Sequence, residues 1–287
     1  MNPPVWIGSA LVVVTFVAYA GFFPDQALRN FRSLRIGITE HFGWFYVLAV
    51  SAMLAFVLYL VLSRYGHLRL GPDDSRPDFR LIPWLSMLLA AGMGIGIVFF
   101  GVSEPLQHYM EPPAPLPENF DRLREAMRFT YFHWGLHPWA VYCCLALPLA
   151  YGHFRHELPL APRSLLYPVL GERIHGWPGH AIDILATTGT LFGVATSLGL
   201  GARQINAGLH ELTGLPVSTA IQISLIAGIT ALATVSVVTG LKGGIRFLST
   251  FNMTLAAAFL VFVLVFGPTV YLVELFVDSI GYYIQKL

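Results

Sequence analysis

Apolar residues run along this chain in long unbroken stretches. Seven of them, roughly 5–23, 42–63, 81–102, 127–152, 181–202, 217–240 and 249–273, are each long enough to cross about 30 Å of hydrocarbon as a helix. A helix satisfies its own backbone, so such stretches suit lipid. The pattern predicts an all-α membrane protein with seven transmembrane helices. The linker 64–80 is charged and the linker 103–126 is acidic and proline-rich, and neither reads as a folded soluble domain. After the seventh stretch, Leu275, Phe276, Ile280, Tyr283 and Ile284 can share one helix face, with Glu274 and Asp278 on the other. That predicts an amphipathic helix lying at the membrane interface.

Composition agrees. The chain is 55% hydrophobic and 11% charged, whereas soluble domains carry roughly 25% charge. Its 17 Lys and Arg nearly balance 16 Asp and Glu, so nothing points to nucleic acid. With a cytoplasmic N-terminus, the cytoplasmic loops hold nine Lys and Arg and the opposite loops eight. The positive-inside rule therefore favours that orientation by one residue. The first stretch lacks a basic leader and reads as a retained helix. Cys143 and Cys144 are adjacent in an apolar run and are assigned no bridge.

Five features are candidates for chemistry. Trp134, Trp139 and Tyr142 lie within nine residues of the fourth stretch. On one helix, Trp139 is about 140° and Tyr142 about 80° from Trp134, so their rings can line one side of a cavity. Such π-faces suit a quaternary ammonium group, which has no N–H to donate, at about 0.5–2 kcal/mol per ring. An aromatic belt at the interface would use the same residue types. Pro138, inside the segment, is expected to bend the helix. In the third stretch, Gly92, Gly94 and Gly96 flank Met93 and Ile95, each glycine weakening a helix by about 1 kcal/mol. This predicts an unwound segment of the kind transporters use to present free carbonyls. Gly92 and Gly96 also make a GxxxG pair for close helix packing. The fifth stretch is rich in Thr, Ser and Gly, and its hydroxyls either ligate a small cation or bond back to their own helix. His133 and His137 match a metal pair in spacing but have no third ligand in that stretch, so no metal site is expected. Asp183 is expected at a span edge near a helix start. No catalytic triad, phosphate loop or other enzyme motif stands out.

Four motifs together resemble the betaine/choline/carnitine transporter family: Ala90 to Gly96 leading to Gly101-Val102-Ser103-Glu104-Pro105, Trp134 to Tyr142, Thr190 to Gly208, and Thr239 to Ser249 with Asn252. They occur in the family's order and cover essentially the whole chain. The resemblance implies an inverted-repeat secondary transporter of twelve helices with a cytoplasmic N-terminus in the cytoplasmic membrane. Residues 1–80 would be two leading helices and a cytoplasmic linker. Residues 81–287 would be the first five-helix repeat, ending in the amphipathic interfacial helix. It implies a quaternary ammonium substrate (glycine betaine, choline or carnitine), taken up for osmoprotection. It also implies no cofactor, a coupling ion of Na⁺ or H⁺, and a homotrimer when full length. Carried over by position, Trp134, Trp139, Tyr142, Gly92, Met93, Gly94, Ile95 and Gly96 would bind substrate. Ala90, Met93 and Thr190 would bind the coupling ion. A second threonine of some sodium-coupled members is Val194 here, which leaves H⁺ coupling open. The family's eighth helix and second repeat fall beyond Leu287, so the chain reads as a fragment of a full transporter. The rival readings are a non-transporting half-transporter that acts as a binding and oligomerisation module, and, less favoured, a channel.

Overall fold

The computed structural model describes residues 2–113 and 121–287, and for residues 91–95, 97 and 98 it describes the backbone alone. The described residues form α-helices joined by short turns, with no β-strand among them. The helices are α1 (Pro3–Phe22), α2 (Pro24–Leu62), α3 (Leu81–Ile95), α4 (Gly101–Met110), α5 (Arg122–Trp134), α6 (Leu136–His156), α7 (Tyr167–Leu170), α8 (Trp177–Thr213), α9 (Thr219–Val238), α10 (Arg246–Phe266) and α11 (Thr269–Gln285). The all-α membrane class expected from the apolar pattern holds. Among the described residues, α1, α2, α8, α9 and Leu241–Phe266, which contains α10, are long and apolar enough to cross a membrane. The expected third span is assembled from α3, a π-helical turn (Gly96–Phe100) and α4. The expected fourth span is two helices, α5 and α6, separated by Gly135.

Packing groups the chain into two compact units, one of Met1–Ser75 with Leu136–Val194, the other of Arg76–Gly135 with Ala195–Leu287. This division differs from the expected one at residue 80, because packing groups helices by contact whereas the expected repeat groups them by sequence.

In the first unit, α1 opens on Pro3 and Pro4, where a missing N–H costs nothing. It stops at Phe23, whose φ of −131° is non-helical, because the residue before Pro24 is pushed out of the α region. Pro24 then opens α2, 39 residues long and so about 58 Å from end to end. The expected span 42–63 is only its second half. Residues 24–41 stay helical although they are polar, since Arg29, Arg32 and Arg35, which interrupt the apolar pattern, are good helix formers. Helices α1 and α8 cross closely: a Cβ on Gly8 would lie 2.5 Å from Ile184 Cδ1. Phe16 packs its ring on Phe31 and Phe192, with centroids 4.8 and 4.5 Å away. Both cysteines are free thiols.

The charged linker is clamped to the end of α6. Arg155 donates to the Arg69 carbonyl at 3.1 and 2.8 Å and to Asp73 Oδ1 at 2.6 Å. The Arg155 hydrogen bond and charge hold the Asp73 carboxyl below its usual range. The Asp73 arm is therefore intact above the ordinary carboxylate pKa and is lost as pH falls through the lowered value. Arg155→Ala should leave the midpoint of global unfolding nearly unchanged, as for an exposed ion pair. It should speed tryptic cleavage within 64–80 severalfold, and unchanged cleavage kinetics would show that the linker needs no clamp.

In the second unit, Asp121 caps α5 by accepting from the Leu123 and Arg124 amides at 3.0 and 3.2 Å. Gly214, at φ +76°, ends α8 in the left-handed conformation. Asn206, fully buried, then ties the turn to α9: its Nδ2 donates to the Pro216 carbonyl and its Oδ1 accepts from the Ser218 amide. Helix α11 docks along α5. Arg124 forks onto Asp278 at 3.0 and 2.6 Å, and the Tyr282 hydroxyl donates to Glu125 at 2.5 Å. Of the apolar face expected for α11, Tyr283 is buried, while Phe276 and Ile284 remain exposed.

Candidate functional site

The aromatic segment does not form one helix. Helix α5 ends at Trp134, and α6 begins at Leu136. The break is at Gly135, whose ψ of −135° leaves the helical region. A Cβ there would also press on the Tyr283 ring at 3.1 Å. The angles between Trp134 and the other two rings, which assume a single helix, therefore do not apply. Pro138 is not the bend either. It stands in the first turn of α6, where its missing N–H has no helical partner to lose. The prolines inside helices are Pro105 and Pro148.

Trp139 and Tyr142, three residues apart on α6, do come together. Their ring centroids are 5.6 Å apart at 41°. Tyr142 is exposed.

Trp134 belongs to the other unit and has different company. A Cβ on Gly96 would lie 2.5 Å from its Cζ3, and the Phe100 ring centroid is 5.6 Å from its own. Its indole N–H donates to Glu104 Oε2 at 2.5 Å. At Gly96 the close-packing role of the glycines is thus realised, with an aromatic ring as the occupant. The expected unwinding takes another form. The backbone is helical from Leu81 to Met110, and Gly96–Phe100 is a π-helical turn. Such turns widen a helix locally and recur at functional sites. The glycines loosen the helix without interrupting it. The side chains of Met93 and Ile95, and the surroundings of Gly92 and Gly94, lie outside the described residues.

Of the expected ion ligands, Ala90 lines an open cavity of about 520 Å³ with Met87, Ser236, Ser249 and Asn252. This puts hydroxyl and amide groups beside an otherwise apolar wall. Thr190 is exposed, and its hydroxyl donates to the Ala186 carbonyl at 2.9 Å. That bond uses the hydroxyl's proton and leaves its lone pairs available. Thr188 is buried and its Oγ1 has no hydrogen-bond partner. Asp183 is past the first turn of α8 and buried. It accepts from the Arg163 amide at 2.9 Å and pairs with the Arg163 side chain at 3.4 Å, so it fastens the loop before α7.

The sequence alone gives Glu104 no role, yet it gathers the most partners of any carboxylate near the aromatic segment. Besides Trp134 it meets His133 Nδ1 and, at 3.3 Å, His108 Nε2. The i, i+4 spacing of Glu104 and His108 is a visible signal, but no periodicity connects them to residue 133. His133 and His137, the spaced pair in the sequence, sit on different helices, and His137 is buried.

Residues 4–287 match the profile described as BCCT, betaine/carnitine/choline family transporter. The chain belongs to this family. It is 42% identical over its whole length to a glycine betaine transporter of Acinetobacter baylyi, covering 44% of that protein. It is 44% identical over 98% of its length to the glycine betaine transporter OpuD of Bacillus subtilis, covering 55% of it. It is also 41% identical to the high-affinity choline transport protein of Escherichia coli, over all of this chain and 42% of that one. The chain spans about half the length of the curated relatives it matches. BCCT proteins are membrane transporters rather than enzymes, as the apolar helices and the lack of an enzyme motif lead one to expect.

Proposed function

We propose that this chain is part of a secondary active transporter for a quaternary ammonium compound of the glycine betaine, choline or carnitine type, working in uptake for osmoprotection. The observation that carries this is the end-to-end similarity, at 41–44% identity, to proteins named for glycine betaine and choline transport. The chemistry supports it. A trimethylammonium group offers no hydrogen-bond donor, so π-faces are its natural partners, and Trp139 and Tyr142 present two rings 5.6 Å apart. Substrate binding is assigned to these two, to Trp134 and to the backbone of Gly92–Gly96. Coupling-ion binding is assigned to Ala90, Met93 and the oxygen of Thr190. The ion is Na⁺ or H⁺, the N-terminus lies in the cytoplasm, and the working assembly is a homotrimer.

The test is uptake of radiolabelled glycine betaine and choline by cells lacking their own transporters, with the chain expressed from its complete reading frame. Loss of one ring from a cation–π site removes about 0.5–2 kcal/mol. Trp139→Ala should therefore weaken substrate affinity about 2- to 30-fold, and unchanged affinity would end the aromatic assignment. Replacing Na⁺ abolishes uptake if Na⁺ is the coupling ion. If uptake instead survives without Na⁺ and a protonophore stops it, H⁺ is the coupling ion.

A further inference from the structure

We propose that Glu104, His108 and His133 form a binding site for a divalent transition-metal ion, with zinc the best fit to the donor set. One ligand atom from each residue falls within 4.8 Å of the other two. Glu104 and His108 are one turn apart on α4, and His133 comes from α5. Two imidazoles and a carboxylate are donors that zinc accepts with a water in the fourth position. Imidazole-rich sites favour zinc, copper and nickel over magnesium or calcium.

One pair of donors already has the spacing of two ligands on a bound ion. Donors on a tetrahedral zinc with bonds of about 2.1 Å stand about 3.4 Å apart. Glu104 Oε1 and His108 Nε2 are 3.3 Å apart. His133 Nδ1 hydrogen-bonds the same oxygen, and its side chain is 49% exposed, so it can swing to face an ion entering between the three. An outer partner is in place as well. Glu104 is buried, and its other oxygen accepts the Trp134 indole N–H. Such a partner fixes the orientation of a ligating carboxylate. The site would pin α4 to α5 at the Trp134 ring. It stands whether or not that ring binds substrate.

The test uses the chain purified without a histidine tag, stripped with chelator and titrated with Zn²⁺ by calorimetry and with Co²⁺ by visible absorption. One equivalent per chain is expected, with the intense visible bands of a four-coordinate Co²⁺. Glu104→Gln and His108→Gln should each weaken binding by at least about 10- to 100-fold. His175→Gln, at the exposed pair with Glu172, should leave it unchanged. If the α4 variants fail to fold, X-ray absorption of the zinc-loaded wild type decides, since two imidazole shells are required. Binding as in the wild type by folded Glu104→Gln and His108→Gln overturns the site, as does a zinc spectrum without imidazole. Absence of stoichiometric binding shows that the three side chains only hydrogen-bond one another.

Discussion

Gly96→Ala is expected to destabilise the second unit by about 1–3 kcal/mol, the usual cost of an extra methyl in a packed site. The new Cβ would lie 2.5, 2.9 and 3.2 Å from Cζ3, Cη2 and Cε3 of Trp134, which is inside van der Waals contact on three atoms of one ring. The ring has little freedom to retreat. Its N–H is held by Glu104 Oε2, and Phe100 packs beside it. Turning away would surrender the hydrogen bond of a buried carboxylate, a loss of about 1.5–3 kcal/mol, so neither escape is cheap. The contact can be isolated by a double-mutant cycle. Trp134→Val leaves a cavity on its own, but it removes the atoms that the methyl added at position 96 would strike. Thermal unfolding in detergent should therefore show the double variant losing at least about 1 kcal/mol less than the sum of the single losses. Strict additivity would mean that the indole moves aside freely and that Gly96 is not there to receive it.

The same contact shows what could be read from the sequence and what could not. Helix class and approximate span positions were legible because length and unbroken apolarity are local properties. The ends were less so: α2 begins 18 residues before the expected span at residue 42, since helix propensity persists where apolarity stops. The glycine-rich third stretch was legible as a place of unusual helix, but three glycines permit unwinding, a π-helical turn and close packing alike. The choice fell to the Trp134 ring, whose partner residue is 38 positions away.

The break at Gly135 was concealed for a related reason. Pro138 carries the stronger local breaking signal, yet a proline in a first turn does no harm, and the glycine with Tyr283 against it marks the true end of α5. Thr190's bond to Ala186 could be foreseen, because hydroxyls in helices commonly bond one turn back. The pairs Glu104–His133, Arg124–Asp278 and Glu125–Tyr282 could not. They span 29, 154 and 157 residues, and no periodicity reaches that far.

Glu125→Gln is expected to release α11 from α5 and to remove an acid sensitivity that the wild type has. Two polar contacts among the described residues help to fasten the helix, and burial separates their worth. Arg124 and Asp278 are 43% and 47% exposed, so that pair contributes about 0–1 kcal/mol. Glu125 is buried. Its Oε1 accepts from Tyr282 at 2.5 Å and its Oε2 from Arg128 at 2.9 Å, bonds to a charged group that are worth about 1.5–3 kcal/mol. Burial is the strongest single influence on Glu125 and pushes its carboxyl up. Arg128, Tyr282 and Lys286 together outweigh it and leave the group below its usual range. A depressed carboxylate contributes stability that is complete above its unfolded pKa, about 4.3, and that is lost as pH falls through the lower folded value. Hydrogen exchange over 269–285 should accordingly stay slow near neutral pH and accelerate below about pH 4 in the wild type, once corrected for the intrinsic pH dependence of exchange. In Glu125→Gln it should be fast at both. Slow exchange in the variant at neutral pH would assign the docking to the apolar contacts of Tyr282 and Tyr283 instead. Because Phe276 and Ile284 remain exposed on the docked helix, the carboxylate also fixes which apolar face α11 offers outward.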